Sequence, residues 1–495
     1  MGNINSEEEY MVNSEEPKAR KDSLNVRRLR KAIKLSENLT FQTKFFKLSK
    51  LLTKKRIKKV TELTNKRTFS DREKLIALGL YKKNPRVYRL LSKIIVIPPC
   101  HVLHKLTSKV GRETGLNKKV YSKLKRRVQR MAQTERLCSL LFDEVTISPT
   151  LNRKERQDVL VNNKNKKIKS DLANHTIVFM IRLIFKKQNQ PIAYKFSCQR
   201  ISKDELKIII RNIISDLQGC GLNVMATICD QDTRNIGAID KLIMETKEEY
   251  LRKKKKYAKD TFEVNGNEIV PLFDAPHLMK GIRNDLVTKN LKGTLKNTVK
   301  IAKWDHILQF FMSISKSKFT NVTKYHVIPK KINKTEASYA IQTLSCKHFA
   351  GLMEFSAKLG PLPREALDTV YIIAFFDTLF KSMNGSYYQW EEYKEDEPLL
   401  GPVTPKRVHE KEWAKSRIVL NSMKFITDDG KEVSTPTLDC WIRTLDNIKH
   451  LSRKLFVKHN VKGFWMSQLN MDPLVKFVKR IQKYGCRNVN TYRLK

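Results

Sequence analysis

The stretch Leu137-Cys138-Ser139-Leu140-Leu141-Phe142-Asp143-Glu144-Val145 marks the point where basic helical patterns give way to strands. Its apolar run closes on two acids, which reads as a buried strand with a polar end. Outward from it, His175 to Phe185 is a long apolar run with β-branched residues, and Ile192 to Phe196 is another. The polar turn Lys186 to Gln190 joins them, so the pair predicts a hairpin. Ser202 with Glu205 forms a capping box that opens a helix to Cys220, where Gly221 ends it. Asn223 to Cys229 reads as a buried strand ending in Asp230, followed by a helix from Asn235 to Tyr250. A fifth strand, Ile269 to Phe273, ends in Asp274, and Pro276 to Asn290 returns to helix.

That order of elements predicts an α/β RNase H-like core over residues 135–290. In such a sheet the first and fourth strands lie side by side, so Asp143 and Asp230 converge. Two carboxylates placed so can share divalent ions that activate an attacking oxygen and stabilise a leaving one. Mg²⁺, which takes oxygen ligands, suits such a site. Aspartate at a strand end is by itself an ordinary turn residue, so the weight rests on the strand order.

Upstream, residues 1–20 read as a disordered tail and 21–64 as a basic helical, coiled-coil-like segment with Phe41, Phe45, Leu48 and Leu52 in a stripe. Residues 65–134 read as an all-α, helix-turn-helix-like DNA-binding region. Its signals are the capping box Ser70/Glu73, the break at Asn84-Pro85, and a helix after Pro98-Pro99 carrying His101, His104, Lys105 and Lys109. A basic helix from Leu116 to Gln133 follows. Downstream, 291–436 is dominated by helical patterns, broken by the acidic loop Glu391 to Glu397 and by Gly401-Pro402. It reads as a helical insertion domain. Residues 437–495 supply closing helices, Leu438 to Asn460 and Asp472 to Tyr484, that complete the core.

Across 495 residues there are 98 Lys plus Arg against 50 Asp plus Glu, a formal net charge of +48. Self-repulsion on that scale opposes compaction unless a polyanion neutralises it, and a nucleic acid does so with release of counterions. The eight cysteines are scattered without a CxxC pair, which predicts reduced thiols rather than disulfides or a zinc module. The acidic start, Met1 to Pro17, is unlike a signal peptide, and no apolar run reaches membrane-spanning length. The runs Lys54-Lys55-Arg56 and Arg252 to Lys256 fit nuclear import.

Three blocks sharpen this reading: Leu141-Phe142-Asp143-Glu144-Val145; Ile228-Cys229-Asp230-Gln231 with Asn235; and Phe273-Asp274-Ala275-Pro276-His277-Leu278-Met279-Lys280 followed by Arg283-Asn284. In this order they resemble the successive signatures of P-element-type, THAP-domain-related DNA transposases. The stretches Phe69–Leu91, Phe376–Asn384 and Gln468–Phe477 resemble further blocks of that family, so the similarity runs from about residue 66 to 490.

The resemblance implies DNA cleavage and rejoining by a DDE triad, and a helical insertion that binds GTP. It makes Asp143 and Asp230 the first two acids, and places Asp274, Lys280, Phe380, Asn384 and Asp472 on positions like those of the nucleotide site. There Lys meets phosphate, Asp ligates Mg²⁺ and Phe stacks on the base. Two departures stand out. The closing motif, roughly QDxLE in the family, is here Met471-Asp472-Pro473-Leu474-Val475, so Val475 occupies the third acid position. Lys381 stands where an acid reading the guanine edge is expected. The expectation is a nuclear transposase, or a DNA-binding protein derived from one, that partners DNA and self-associates but cleaves poorly, with Mg²⁺ and unselective GTP as cofactors. Two alternatives stay open: an active nuclease using another acid, such as Asp274 or Asp472, and a domesticated interaction protein.

Overall fold

The computed structural model describes residues 69–92, 97–108, 118–146, 174–314, 322–393, 397–406 and 408–485. The tail, the stripe at Phe41 to Leu52, Lys54 to Arg56 and Lys109 lie outside them. The chain divides into two compact units, Met1–Arg112 and Glu113–Lys495.

The first unit has α1 (Asp71–Lys83), α2 (Pro85–Leu91) and α3 (Cys100–Ser108). The capping box forms as read: the Glu73 N–H donates to Ser70 Oγ, and the Ser70 N–H donates to Glu73 Oε2. Asn84 caps α2 through its side chain, with Pro85 at the first helical position, where a missing N–H costs nothing. Ala77, Tyr88, Ile97 and Leu103 form a small core of their own.

The second unit begins with α4 (Lys118–Val128), whose Leu124 and Val128 join the core of the main sheet. That sheet comprises β1 (Leu137–Thr146), β2 (His175–Leu183), β3 (Asn189–Ser197), β4 (Asn223–Cys229), β5 (Phe262–Val264) and β6 (Asn267–Phe273), in spatial order β3-β2-β1-β4-β6-β5. β1, β4 and β6 run parallel, whereas β2 and β3 form the expected antiparallel hairpin. The helices α5 (Lys203–Gly219) and α6 (Thr233–Arg252) connect the parallel strands. The α5 turn ends at Gly221, whose φ of 90° is a conformation that glycine adopts without strain. The short β5, not foreseen from the sequence, is an edge strand turned back on β6 through Asn265 and Gly266, both at positive φ.

The helix α7 (Ala275–Leu286) ends earlier than the apolar pattern implies, because Asn290 starts a strand. β7 (Asn290–Leu295) and β8 (Thr298–Ala302) form a hairpin about Lys296-Asn297, at φ 48° and 61°. β9 (Lys424–Ile426) and β10 (Glu432–Val433) join it in a second sheet, ordered β10-β9-β7-β8. This sheet closes the insertion at its root; the reading of 291–436 as dominated by helical patterns did not include it. The rest is helical: α8 (Trp304–Ile314), α9 (Lys324–Val327), α10 (Ala337–Leu344), α11 (Lys347–Leu359), α12 (Ala366–Asn384), α13 (Tyr387–Tyr393) and α14 (Val408–Ser422). α15 (Pro436–His459) then packs on β6 and α7, and α16 (Asp472–Gly485) packs on β1. The seven described cysteines are all unbridged, and Cys138, Cys220, Cys229 and Cys440 are buried.

Candidate active site at the strand ends

Ser139, Leu140 and Leu141 of β1 pair in parallel with Ala226, Thr227 and Ile228 of β4. Continued by two residues, that register sets Asp143 opposite Asp230. Both are half-buried. Burial, reinforced by the charge of Asp230, raises the Asp143 carboxyl well above the usual carboxylate range, although His277 and Lys280 draw it down. Asp230 is held in place: its Oδ1 accepts from Asn235 Nδ2 (2.7 Å) and from the Asp232 N–H (3.1 Å). Asp232 in turn caps α6 and pairs with Arg234 and Arg200. The neighbouring Glu144 is engaged elsewhere, accepting from the Ile201 N–H (3.1 Å).

Asp274 lies at the end of β6, tied to β4 by its N–H donating to the Cys229 carbonyl (2.9 Å). It is 1% exposed. Its Oδ2 caps α7 by accepting from the His277 N–H (3.2 Å) and lies 2.6 Å from His277 Nδ1. Its Oδ1 accepts from the Met471 N–H (2.7 Å), across 197 residues of sequence. Burial alone would hold the His277 imidazole down, but the hydrogen bond and charge of Asp274 outweigh it and raise its pKa. Gln231 Nε2 donates to the His277 carbonyl (2.9 Å), so the residue after Asp230 is locked to α7. Gly281 makes room for this: a Cβ there would meet Gln231 Nε2 at 2.5 Å and Thr437 at 2.6 Å.

The segment before α16 is anchored on its other flank. Arg182, next to the last residue of apolar β2, donates from Nη1 to the carbonyl (2.8 Å) and Oδ1 (2.7 Å) of Asn470, and from Nε to Gln468 Oε1 (3.2 Å). Desolvation lowers the Arg182 guanidinium to about 10. Asn470 Nδ2 donates to Asn384 Oδ1 (2.9 Å) at the end of α12. The clamp fixes the start of α16, where Asp472 is exposed and pairs with Lys476 (3.4 Å) while Val475 packs against the core. Sequence reading passed over Arg182 and gave no role to His277 and Asn470, which lie inside blocks it had singled out. A lone arginine inside the His175 to Phe185 apolar run was the available signal.

The residues expected at a nucleotide site come near one another around the segment before α16, Asp274 bonding to Met471 beside Asp472 and Asn384 to Asn470. Lys280 lies near Asp143 and His277. Asp274 and Asn384 are engaged in the bonds above, and Phe380 is 6% exposed, within the core. Lys381 sits between Asp377 and Glu397, 2.8 Å from a carboxylate oxygen of each, and these bonds raise its pKa despite burial. Among the described residues no group of three or more His, Cys, Asp and Glu is placed to hold a metal. The pair Asp143/Asp230 does suit a divalent cation: burial and the charge of Asp230 both raise the Asp143 carboxyl, and a cation between them would relieve that repulsion. It offers two protein carboxylates, not three.

A central parallel β1-β4-β6 arrangement with an antiparallel hairpin on one side, and acids at the strand ends, defines an RNase H-like domain interrupted by a mixed, mostly helical insertion. Comparison with known proteins narrows this. Residues 112–243 match a family described as TNP-like, RNase H N-terminal domain. Over 331 residues the chain is 24% identical to the DNA transposase THAP9 of Homo sapiens, covering 64% of this chain and 35% of that protein. The chain thus spans about a third of the length of this curated relative. Its fold is similar to that in the Drosophila P element transposase strand transfer complex, with a TM-score of 0.65 at 19% identity, over 90% of this chain and 94% of the other. The resemblance to P-element-type transposases read from the motifs is borne out in both sequence and fold.

Proposed function

We propose that the chain is a P-element-type transposase core that binds DNA but does not cut it. The observation that carries this reading is the pair Asp143 and Asp230, facing each other across β1 and β4, with α16 packed on β1; α16 carries the aliphatic Val475, which the motif resemblance puts at the third acid position. A bound divalent cation would supply charge to polarise a phosphodiester. Asp143 and Asp230 would hold it, and Lys280 would add a point charge beside the phosphate. Valine offers no oxygen, and misplacement of a reacting group by about 1 Å can already cost roughly a hundredfold in rate. The +48 charge supplies the DNA affinity. A nicking assay on supercoiled DNA with Mg²⁺ or Mn²⁺ tests the reading. No nicking is expected from the chain as it stands, and Val475→Glu is the variant expected to gain metal affinity. Metal-dependent nicking by the unaltered chain that Asp230→Ala abolishes would instead mean that another acid completes the site.

Nucleotide binding on this reading is weak and unselective, supported by the Lys381 ion pairs and the buried Phe380. Calorimetry with GTP, ATP and XTP checks it; tight binding confined to GTP would defeat it.

A further inference from the structure

At the opposite end of β1 from the acid pair lies a cleft of about 480 Å³, lined by Lys123, Arg126, Arg127, Arg130, Met131, Lys186 and Gln188. Helix α4 builds one wall. Leu124, Val128 and Met131 are buried in the sheet's core. Lys123, Arg126, Arg127 and Arg130 are exposed on the other face, at the i, i+3, i+4, i+7 spacing that makes one helical stripe. The stripe continues past Val128 because the Arg130 N–H donates to the Arg127 carbonyl (3.1 Å), keeping the turn wound. The turn between β2 and β3 supplies the facing wall through Lys186, itself 2.7 Å from Glu135. Lys187, next along, is spent on Tyr388: its Nζ donates to the phenol oxygen (3.3 Å) and lies over the ring.

None of the four stripe residues is paired with an acid among the described residues. Four like charges on successive turns repel one another, and they stay together at least cost when a polyanion neutralises them. None of the seven lining residues is aromatic, so a free nucleotide would find phosphate partners but no base platform. A repeating backbone of phosphates matches a stripe of this length better.

We propose that this cleft holds the sugar–phosphate backbone of a DNA segment distinct from the one at Asp143 and Asp230. Cys138 pairs with Leu183 at the cleft end of β1, and Asp143 lies five residues further on. At about 3.3 Å per residue that separates the two sites by roughly 17 Å, or about five base pairs of duplex at ~3.4 Å each. One duplex crossing both, or two separate segments, can occupy them. The cleft's task is to hold DNA in register while the strand ends of the sheet face a phosphodiester. This inference rests on the DNA-binding reading above.

The test is fluorescence anisotropy of the full chain with a random-sequence duplex over a salt series. The quadruple variant Lys123→Gln/Arg126→Gln/Arg127→Gln/Arg130→Gln is compared with a control of equal charge loss, Lys253→Gln/Lys254→Gln/Lys255→Gln/Lys256→Gln. All eight side chains are exposed, and circular dichroism confirms that both variants fold. The slope of log affinity against log salt is expected to fall by about 3–4 in the cleft variant, at ~0.9 per lost phosphate contact, and by less than about 1 in the control. An equal fall in the control would show diffuse attraction and overturn the cleft. Displacement of the duplex by millimolar GTP from the unaltered chain but not from the cleft variant would make it a nucleotide site and overturn it too. Failure of the unaltered chain to bind duplex at any salt would sink the DNA-binding reading itself.

Discussion

Two sets of residues drawn from one family resemblance have different fates in the fold. Asp143 and Asp230 are brought side by side at the ends of two central strands, where burial and the charge of Asp230 raise the Asp143 carboxyl. Phe380, Lys381 and Asn384, on consecutive turns of α12, are satisfied from within: Phe380 by the core, Lys381 by Asp377 and Glu397, Asn384 by Asn470. A site that awaits a ligand keeps unmet charge, because the ligand is what relieves it. A site whose groups already answer one another has less to offer. The difference separates the strand-end carboxylates, whose charges press on each other, from the α12 face, where Phe380, Lys381 and Asn384 already have partners within the protein.

The largest effect that would test this contrast is at Asp274, which joins the two regions. Its buried carboxylate serves His277 and Met471 together, so Asp274→Ala is expected to cost about 3–5 kcal/mol, the usual cost of breaking a buried charged network. Urea unfolding without nucleotide measures it. A loss below about 1 kcal/mol would mean that Asp274 is free for a ligand and would blur the comparison. Phe380→Ala comes next, with about 3 kcal/mol or more expected for an aromatic side chain removed from a packed core, and Phe380→Leu well under half of that. An unchanged midpoint for Phe380→Ala would release that ring for stacking.

The smallest and most specific effect is at Asp143. Its folded carboxyl is raised above the unfolded value near 4. The folded state therefore holds the proton more tightly, and stability falls as the pH rises from the unfolded value through the folded one. Asp143→Asn removes that loss. The variant is expected to be more stable than the parent at pH 8 by roughly 1 kcal/mol or more, since a tenfold change in proton affinity is about 1.4 kcal/mol. The difference should close toward pH 4. Equal stability across that range would show that neither burial nor Asp230 raises the Asp143 carboxyl, and the contrast between the regions would lose its basis.

Much of the core was legible because its signals are local. Asn223 to Cys229 is a strand with the bounds its composition indicates. Ser70 and Ser202 cap the helices they precede, although Glu205 answers Lys195 rather than closing its box. The hairpin at 290–302 escaped because its turn uses Lys296 and Asn297 at positive φ, without the glycine that marks such turns. The early end of α7 escaped because β7 finds its partner β9 more than a hundred residues away.

At the site, residue chemistry was readable and residue employment was not. The sequence alone determined the order of strands, the acids at their ends, the aliphatic residue at position 475 and the excess of positive charge. These follow from periodicity, caps and composition, which act over a few neighbours. Only the tertiary structure decided that Asp274 is consumed by Met471 across 197 residues, that Lys381 is neutralised by Asp377 and Glu397, and that Lys123, Arg126, Arg127 and Arg130 face Lys186 across a cleft. Whether a polar group is spent or available depends on which distant partner burial brings within hydrogen-bonding reach, and that is settled when the sheet, the insertion and the closing helices pack together.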